Sequence, residues 1–554
     1  MKSKLFITSL LATAFIAHSG QAFAAQYEIK EIAPLEKYRQ HFSMGLNDSG
    51  TVVGVVRDSF NFPFYLEPYL EDTYKTACDL SDAELSSGVF DATSTFCLKS
   101  TLAGLSSPLF QKIGDSKSFI YSGNETNLVA LTDYVDAELG EYTGSNVEQL
   151  NAINSSDIAV GTASAPFIPV DFVITSEEGV ETEFKFWQRD YKTRATIYLN
   201  GVTKLIEPVF SEYGGLTSAV DISNSGYIAG YSSTGLIESA QVSIETDCDG
   251  EGAPLLVCVW SKQTSGTIYK TKPYIWQIDD TGEVLSSTEF DIAFTPTETQ
   301  TSNYTATIAA VNEFGVGVGY GHVHSKDNDP IVQFYPQPLL FGSEGTKTLI
   351  DVDLYDAGYA TDINSSNIVI GKVQTVYNNE LNDEFFIYDI NNDTFDTPTT
   401  FYPTAESTAN SINDLGIVVG EAEYEITTES VRRKHGFIYN INTKSFFDIN
   451  DLTECNSEFE IVEMKSINNN NQIAATALKR VELRDSNGDI YYDSAGASYT
   501  EQVAVSVLLS PIDSGEIEDC SDIENPKYER KGLSTAPVFI LFLSSLLYIR
   551  RRSI

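Results

Sequence analysis

One short phrase of hydrophobic and polar positions recurs along the chain. A hydrophobic residue is followed by a residue that is usually Asn, then by turn-forming residues that usually end in Gly or Asn. Alternating apolar positions follow and finish on a small residue eight positions after the first. The phrase reads LNDSGTVVG at 46–54, INSSDIAVG at 153–161, ISNSGYIAG at 222–230 and VNEFGVGVG at 311–319. It returns as INSSNIVIG at 363–371, INDLGIVVG at 412–420 and INNNNQIAA at 467–475, making seven copies. This is the chemistry of a tight hairpin. Asn bonds its own backbone and tolerates turn geometry, Gly or Asn accepts positive φ, and the alternation that follows is a strand with one buried face. Asn47, Asn154, Asn312, Asn364, Asn413 and Asn468 are therefore read as turn formers rather than catalytic groups. The closing Gly marks a place where backbones crowd, such as strands converging on an axis.

Each copy is followed, after a variable loop, by a second hairpin with an aromatic-rich first strand. Phe385 to Tyr388 with the turn Asn391 to Asp393, and Gly436 to Tyr439 with the turn Asn440 to Thr443, show it most clearly. Ser118 to Tyr121, Ala195 to Tyr198, Pro273 to Trp276 and Pro338 to Phe341 are further examples. The unit is thus two hairpins, or four strands. From Asn312 through Asn364 and Asn413 to Asn468 the units are 52, 49 and 55 residues long, the size of a propeller blade. The seventh unit offers Val503 to Leu509 as its third strand and shows no clear fourth, whereas Tyr27 to Ile32 is a strand with no preceding partner. Bringing the two together closes a ring and removes exposed sheet edges.

The expected fold is all-β, a seven-bladed β-propeller over 25–512. An open β-repeat array or a two-domain β arrangement is the alternative. The longer spacings, 107 residues after Asn47 and 89 before Asn312, read as loop insertions near 66–117 and 232–270.

Composition adds compartment and surface. The chain carries 78 acidic and 35 basic side chains and 42% hydrophobic residues, enough for a large core and too acidic to favour a nucleic-acid partner. Lys2 and Lys4, an apolar run to Ala17 and the small-x-small triplet Ala22-Phe23-Ala24 read as a signal peptide over 1–24, cleaved by signal peptidase after Ala24. An acidic linker at 513–532 leads to an uncharged, mostly apolar segment at 533–549, followed by Arg550, Arg551 and Arg552 in the final 550–554 stretch. That order predicts a membrane helix with its arginines on the cytoplasmic side and the body exported to the periplasm, the cell surface or the medium. Six cysteines in an oxidising compartment read as disulfides. Cys78 and Cys97 fall in one insertion, Cys248 and Cys258 in the other, and Cys455 and Cys520 flank the last unit, where a bridge would hold the ring closed.

The phrase, followed by Phe-x-Tyr strands over roughly residues 40 to 510, resembles the HAF repeats of bacterial extracellular proteins. The whole chain is similar to an uncharacterised family of exported proteins in Gram-negative bacteria, a resemblance that brings no catalytic residues with it. The tail resembles the GlyGly-CTERM sorting signal, which implies processing by a rhombosortase-type intramembrane protease. Here Lys531-Gly532-Leu533-Ser534 offers one glycine, Gly532, where that signal has two.

Candidate chemistry is sparse. His322 and His324 would share one face of a strand and could take a metal with Asp327 or Asp329. Asp485, Asn487, Asp489 and Asp493 carry the one-three-five-nine oxygen spacing of a calcium loop, without Gly at six or Glu at twelve. The competing reading there is an Asn-Gly hairpin between Val481 to Leu483 and Ile490 to Tyr492. No GxSxG elbow, Walker loop, HExxH helix or dinucleotide fingerprint occurs, so no catalytic residue and no cofactor beyond calcium is assigned. Two functions follow: a non-catalytic binding or scaffold module for a surface protein or glycan, and, as the alternative, a secreted glycosidase-like hydrolase.

Overall fold

Each copy of the phrase forms the corner between the first and second strands of a four-stranded antiparallel sheet, and seven such sheets form a β-propeller. The computed structural model describes residues 27–32, 36–66, 74–298, 302–324, 335–351, 354–377, 380–426, 432–513, 515 and 517. The innermost strands, which number the blades 1 to 7, are Tyr38–Leu46, Glu148–Ile153, Thr217–Ile222, Ala306–Val311, Ala357–Ile363, Ser407–Ile412 and Phe459–Ile467.

The corner is built as its residues dictate. Asn47 Oδ1 accepts from the backbone N–H groups of Ser49 at 3.1 Å and Thr51 at 2.9 Å, and Asn413 Oδ1 does the same for Leu415 and Ile417. The fifth residue of the phrase takes positive φ in every copy, whether it is Gly50, Asp157, Gly226, Gly315, Asn367, Gly416 or Asn471. Only Gly and short polar residues enter that region at low cost, which explains the restricted choice.

The closing glycine has a more local cause than convergence on an axis. In all seven blades the pairing between inner and second strands slips by one residue just before the corner. This bulge drives an inner-strand carbonyl against the glycine. A Cβ on Gly371 would lie 2.0 Å from Tyr359 O, and one on Gly420 would lie 2.0 Å from Thr408 O. In blade 7, where Ala475 replaces the glycine, the inner strand slips twice.

Ring closure follows the expected route. Tyr27–Glu31 is the outermost strand of blade 7 and pairs antiparallel with Thr500–Pro511, placing Tyr27 opposite Pro511 and Glu31 opposite Val507. Apolar side chains fill the spaces between adjacent sheets. Val419, Ile438, Met464 and Val505 form one such layer between blades 6 and 7, and the Phe385 and Phe437 rings pack 5.0 Å apart, tilted by 37°, between blades 5 and 6. Each fully buried Val, Ile or Phe contributes about 1.5–3 kcal/mol.

Insertions in blades 1, 2, 3 and 7 depart from the four-stranded plan, each between the second and third strands of its blade and hence on the face opposite the Asn corners; that of blade 7 is a double hairpin over 483–499. Blade 1 carries helices α1 (Asp82–Ser87) and α2 (Ala92–Gly104), and blade 3 carries α3 (Glu238–Asp247) and α4 (Leu255–Ser265). These helices lie within the stretches expected to be insertions. Helix α1 starts on a capping box, with Ser81 and Glu84 exchanging hydrogen bonds. Disulfides Cys78–Cys97 and Cys248–Cys258 staple the two helical insertions, each of which has only a small core of its own. Blade 2 carries a hairpin, Ile168–Thr175 with Glu181–Gln188, that the sequence pattern does not announce. Its first strand only half-buries one face, through Val170, Phe172 and Ile174, and exposes Val173 on the other, so it lacks the apolar-polar alternation of a blade strand.

The leader with Ala24, Cys520, Gly532, the 533–549 segment and Arg550, Arg551 and Arg552 lie outside the described residues, as do Asp327 and Asp329. Among the described residues no helix is long and apolar enough to cross a membrane. Two disulfides are those of a chain that folds in an oxidising environment.

Candidate functional site

The bulges and corners together shape a cavity of about 460 Å³ at the axis, opening on the face that carries the Asn corners. Its wall is formed by the extra residue of each bulge: Met44, Asn151, Val220, Ala309, Thr361, Asn410 and Lys465. Its mouth is formed by the seven corners.

The corner asparagines do more than make turns. Each Nδ2 reaches across to the next blade and donates to the carbonyl of the equivalent corner residue. The distances are 3.0 Å from Asn47 to Asn154, 3.4 Å from Asn154 to Ser223 and 3.4 Å from Asn312 to Asn364. The series continues at 3.1 Å from Asn364 to Asn413, 3.0 Å from Asn413 to Asn468 and 2.9 Å from Asn468 back to Asn47. Ser223 has no amide to extend. At that interface the Glu313 carboxylate instead accepts from the backbone N–H groups of Asn224 at 3.0 Å and Ser225 at 2.7 Å. The result is a belt of buried hydrogen bonds around the axis. The turn is legible in the sequence and the belt is not, because a bond to a residue 49 to 421 positions away leaves no local mark.

Two carboxyl groups stand in the cavity wall one residue before the corner phrase. Asp221 Oδ2 accepts from Val311 N of the next blade at 2.9 Å, and its carboxylate also accepts from Ile222 N. Asp362 repeats the arrangement, with Oδ1 2.7 Å from Ile363 N and Oδ2 2.9 Å from Ile412 N. Burial raises Asp221 to about 6 and Asp362 to about 7, and the charge of Asp221 adds to the rise at Asp362. A carboxyl poised near neutrality in a cavity is what general acid catalysis uses. Both groups are nevertheless occupied as acceptors for backbone N–H, and Ser411 Oγ receives Ile467 N in the same way at the following interface. A signal for these acids does exist in the sequence. Asp221 and Asp362 occupy a position where the other copies carry Gly45, Ala152, Ala310, Ser411 and Ser466.

The residues singled out from the sequence sit elsewhere. His322 Nδ1 accepts from Thr305 N at 3.1 Å, its ring packs on Tyr304, and His324 packs on Phe294 at 4.2 Å between centroids. Asp485 Oδ1 accepts from Asn487 N at 2.9 Å and Asp489 N at 3.1 Å, closing the hairpin turn at Gly488. Asn487 Nδ2 is drawn away to Phe90 O of the blade 1 insertion at 3.0 Å. Asp493 caps a separate turn, accepting from Ala495 N and Ala497 N. Asp485 and Asp493 thus serve different corners of a double hairpin. Among the described residues no group of three or more His, Cys, Asp or Glu is gathered to hold a metal ion. Cys455 is also disulfide-bonded, and its expected partner Cys520 lies outside the described residues.

The family model described as a protein of unknown function, DUF3466, matches residues 5–552. No curated protein matches the chain. Among solved structures, the chain is similar to the acylaminoacyl peptidase of Pyrococcus horikoshii at 10% identity and TM-score 0.35, covering 81% of this chain and 50% of that one. It is similar to the β-propeller domain of the trilobed protease of Pyrococcus furiosus at 10% identity and TM-score 0.28, covering 75% and 97%. The extracellular domain of a one-component system from B. thetaiotaomicron matches at 7% identity and TM-score 0.33, covering 83% and 40%. The chain therefore spans about half the length of the first of these and two fifths of the third. All three scores are low, and the fold assignment rests on the strand pairing itself.

Proposed function

From the premise that the chain belongs to the DUF3466 family, whose function is unknown, we propose that it is an exported, non-catalytic propeller that binds a protein or glycan partner at the cell envelope. The observation that carries this reading is the use of the axial carboxyl groups. Asp221 and Asp362 are engaged in holding blade 3 to blade 4 and blade 5 to blade 6, through Val311 N and Ile412 N. A general acid must present its own O–H to a substrate atom, and the oxygens of these carboxyls are taken up by backbone donors. The hydrolase reading keeps one support, the raised pKa of the same two groups. The reading also includes the leader cut after Ala24 and a C-terminal segment that anchors the chain at least until a protease acts near Gly532.

The experiment uses the exported chain and a double variant, Asp221→Asn with Asp362→Asn, on a panel of glycoside and peptide substrates. The expected result is no product from either protein. Product formation by the unsubstituted chain that the double variant lacks would establish the hydrolase instead.

A further inference from the structure

The insertions of blades 1, 2 and 3 meet on the face opposite the Asn corners around Tyr65, Phe167, Trp187 and Trp260. The Tyr65 and Trp187 rings lie 4.9 Å apart, and those of Phe167 and Trp260 lie 5.3 Å apart. Three cations are set against this cluster. Lys112 Nζ lies 5.1 Å from the Trp260 ring centre, and the Arg189 guanidinium lies 4.9 Å from that of Phe167. Lys192 Nζ donates to Gln263 O at 3.1 Å, on the same helix, α4, as Trp260.

In a chain with more than twice as many acidic as basic side chains, none of these three forms an ion pair among the described residues, whereas Lys99, Lys117, Arg39 and Lys479 each have carboxylate partners. Lys112 is satisfied by the carbonyls of Leu105 at 3.0 Å and Ser107 at 2.6 Å. Arg189 Nε and Trp187 Nε1 are buried and meet no acceptor among the described residues, and Trp187 is only 2% exposed. Burial holds Lys112 down to about 8 and Arg189 down to about 10, and Lys192 is lowered by burial and by the charge of Arg189. The three cations thus have no carboxylate partner among the described residues, and Arg189 Nε has no acceptor, a costly arrangement that an anionic, oxygen-rich ligand relieves.

We infer that this cluster binds a carboxylate-bearing sugar, with Arg189 and Lys192 on the carboxylate and the half-exposed Trp260 ring against the sugar's C–H face. The inference rests on the binding-module reading and names its ligand class. A guanidinium close to a half-exposed indole suits a pyranose that carries a carboxylate and can lay a C–H face on the ring better than it suits an extended acidic peptide.

The test titrates an oligogalacturonate, a neutral oligogalactose of equal length and a polyglutamate peptide into the exported chain and into R189Q and K192Q. The uronate is expected to bind, more weakly as salt rises, and to lose about tenfold or more in affinity in R189Q, while the neutral sugar does not bind. The melting temperature of R189Q is expected to hold or rise, since an unpaired charge is removed. If R189Q melts early, K192Q decides, because its cation lies at the edge of the cluster. Absence of uronate binding, equal affinity in the folded variants, or binding of polyglutamate alone would overturn the inference. Binding of some other uncleaved partner would leave the binding-module reading standing. Cleavage of the uronate would overturn that reading.

Discussion

At the residue scale, one side chain type does two jobs in this molecule. A corner Asn caps its own turn through Oδ1 and ties its blade to the next through Nδ2, so six buried amides contribute at once to local geometry and to ring closure. The turn was legible in the sequence because its partners lie two and four residues away. The belt was not, because its partners are a blade away. Asp221 and Asp362 were illegible for a different reason: among 78 acids only their register against the small residues of the other copies distinguishes them. Their raised pKa values give a prediction with a definite sign. As pH rises from the ordinary value of 3.8 towards about 6 and about 7, the unfolded chain releases protons that the native carboxyls keep, so stability falls across that window and levels off above it. Asp362→Asn removes one titrating group. Its melting temperature is expected to gain on that of the unsubstituted chain between pH 4 and pH 8, and a gap between the two that stays constant over this range would refute the assignment.

At the element scale, the hairpin phrase and the closing strand were both readable, since each depends on alternation and turn chemistry alone. The inner-strand bulge was not readable directly, although its consequence was: a Cβ added to Gly54, Gly161, Gly230, Gly319, Gly371 or Gly420 would come within 2.3 Å of a carbonyl oxygen on the neighbouring strand. The blade 2 hairpin is not legible because Ile168–Thr175 lies over the propeller rather than in it and has no fully buried position to impose a pattern. The strand Tyr27–Glu31 carries the most testable role. It covers the edge of Thr500–Pro511, and Glu31 pairs with Lys479 at 2.6 Å. Deleting residues 27–32 is expected to lower the melting temperature and to shift the chain towards self-association on size exclusion, because an apolar strand edge is laid open. An unchanged melt and a monomeric elution would show that the ring does not depend on this strand.

At the scale of the whole molecule, the two faces of the propeller differ in construction. One face is a belt of corners around a polar axial cavity whose acids are bound into the frame. The other carries the insertions, two of them stapled by disulfides, and those of blades 1, 2 and 3 bring cations without carboxylate partners and aromatic rings together. Loops held on a rigid frame are where binding residues are generally placed, and here that argument favours the insertion face. Hydrogen exchange of the exported chain with and without oligogalacturonate, with the sugar recovered from the same sample, tests this most directly. The account predicts slower exchange confined to the segments around Lys112, Trp187 to Lys192 and Trp260, unchanged exchange around Asp221 and Asp362, and a sugar recovered intact. Slower exchange centred on the axial cavity together with a shortened sugar would contradict it.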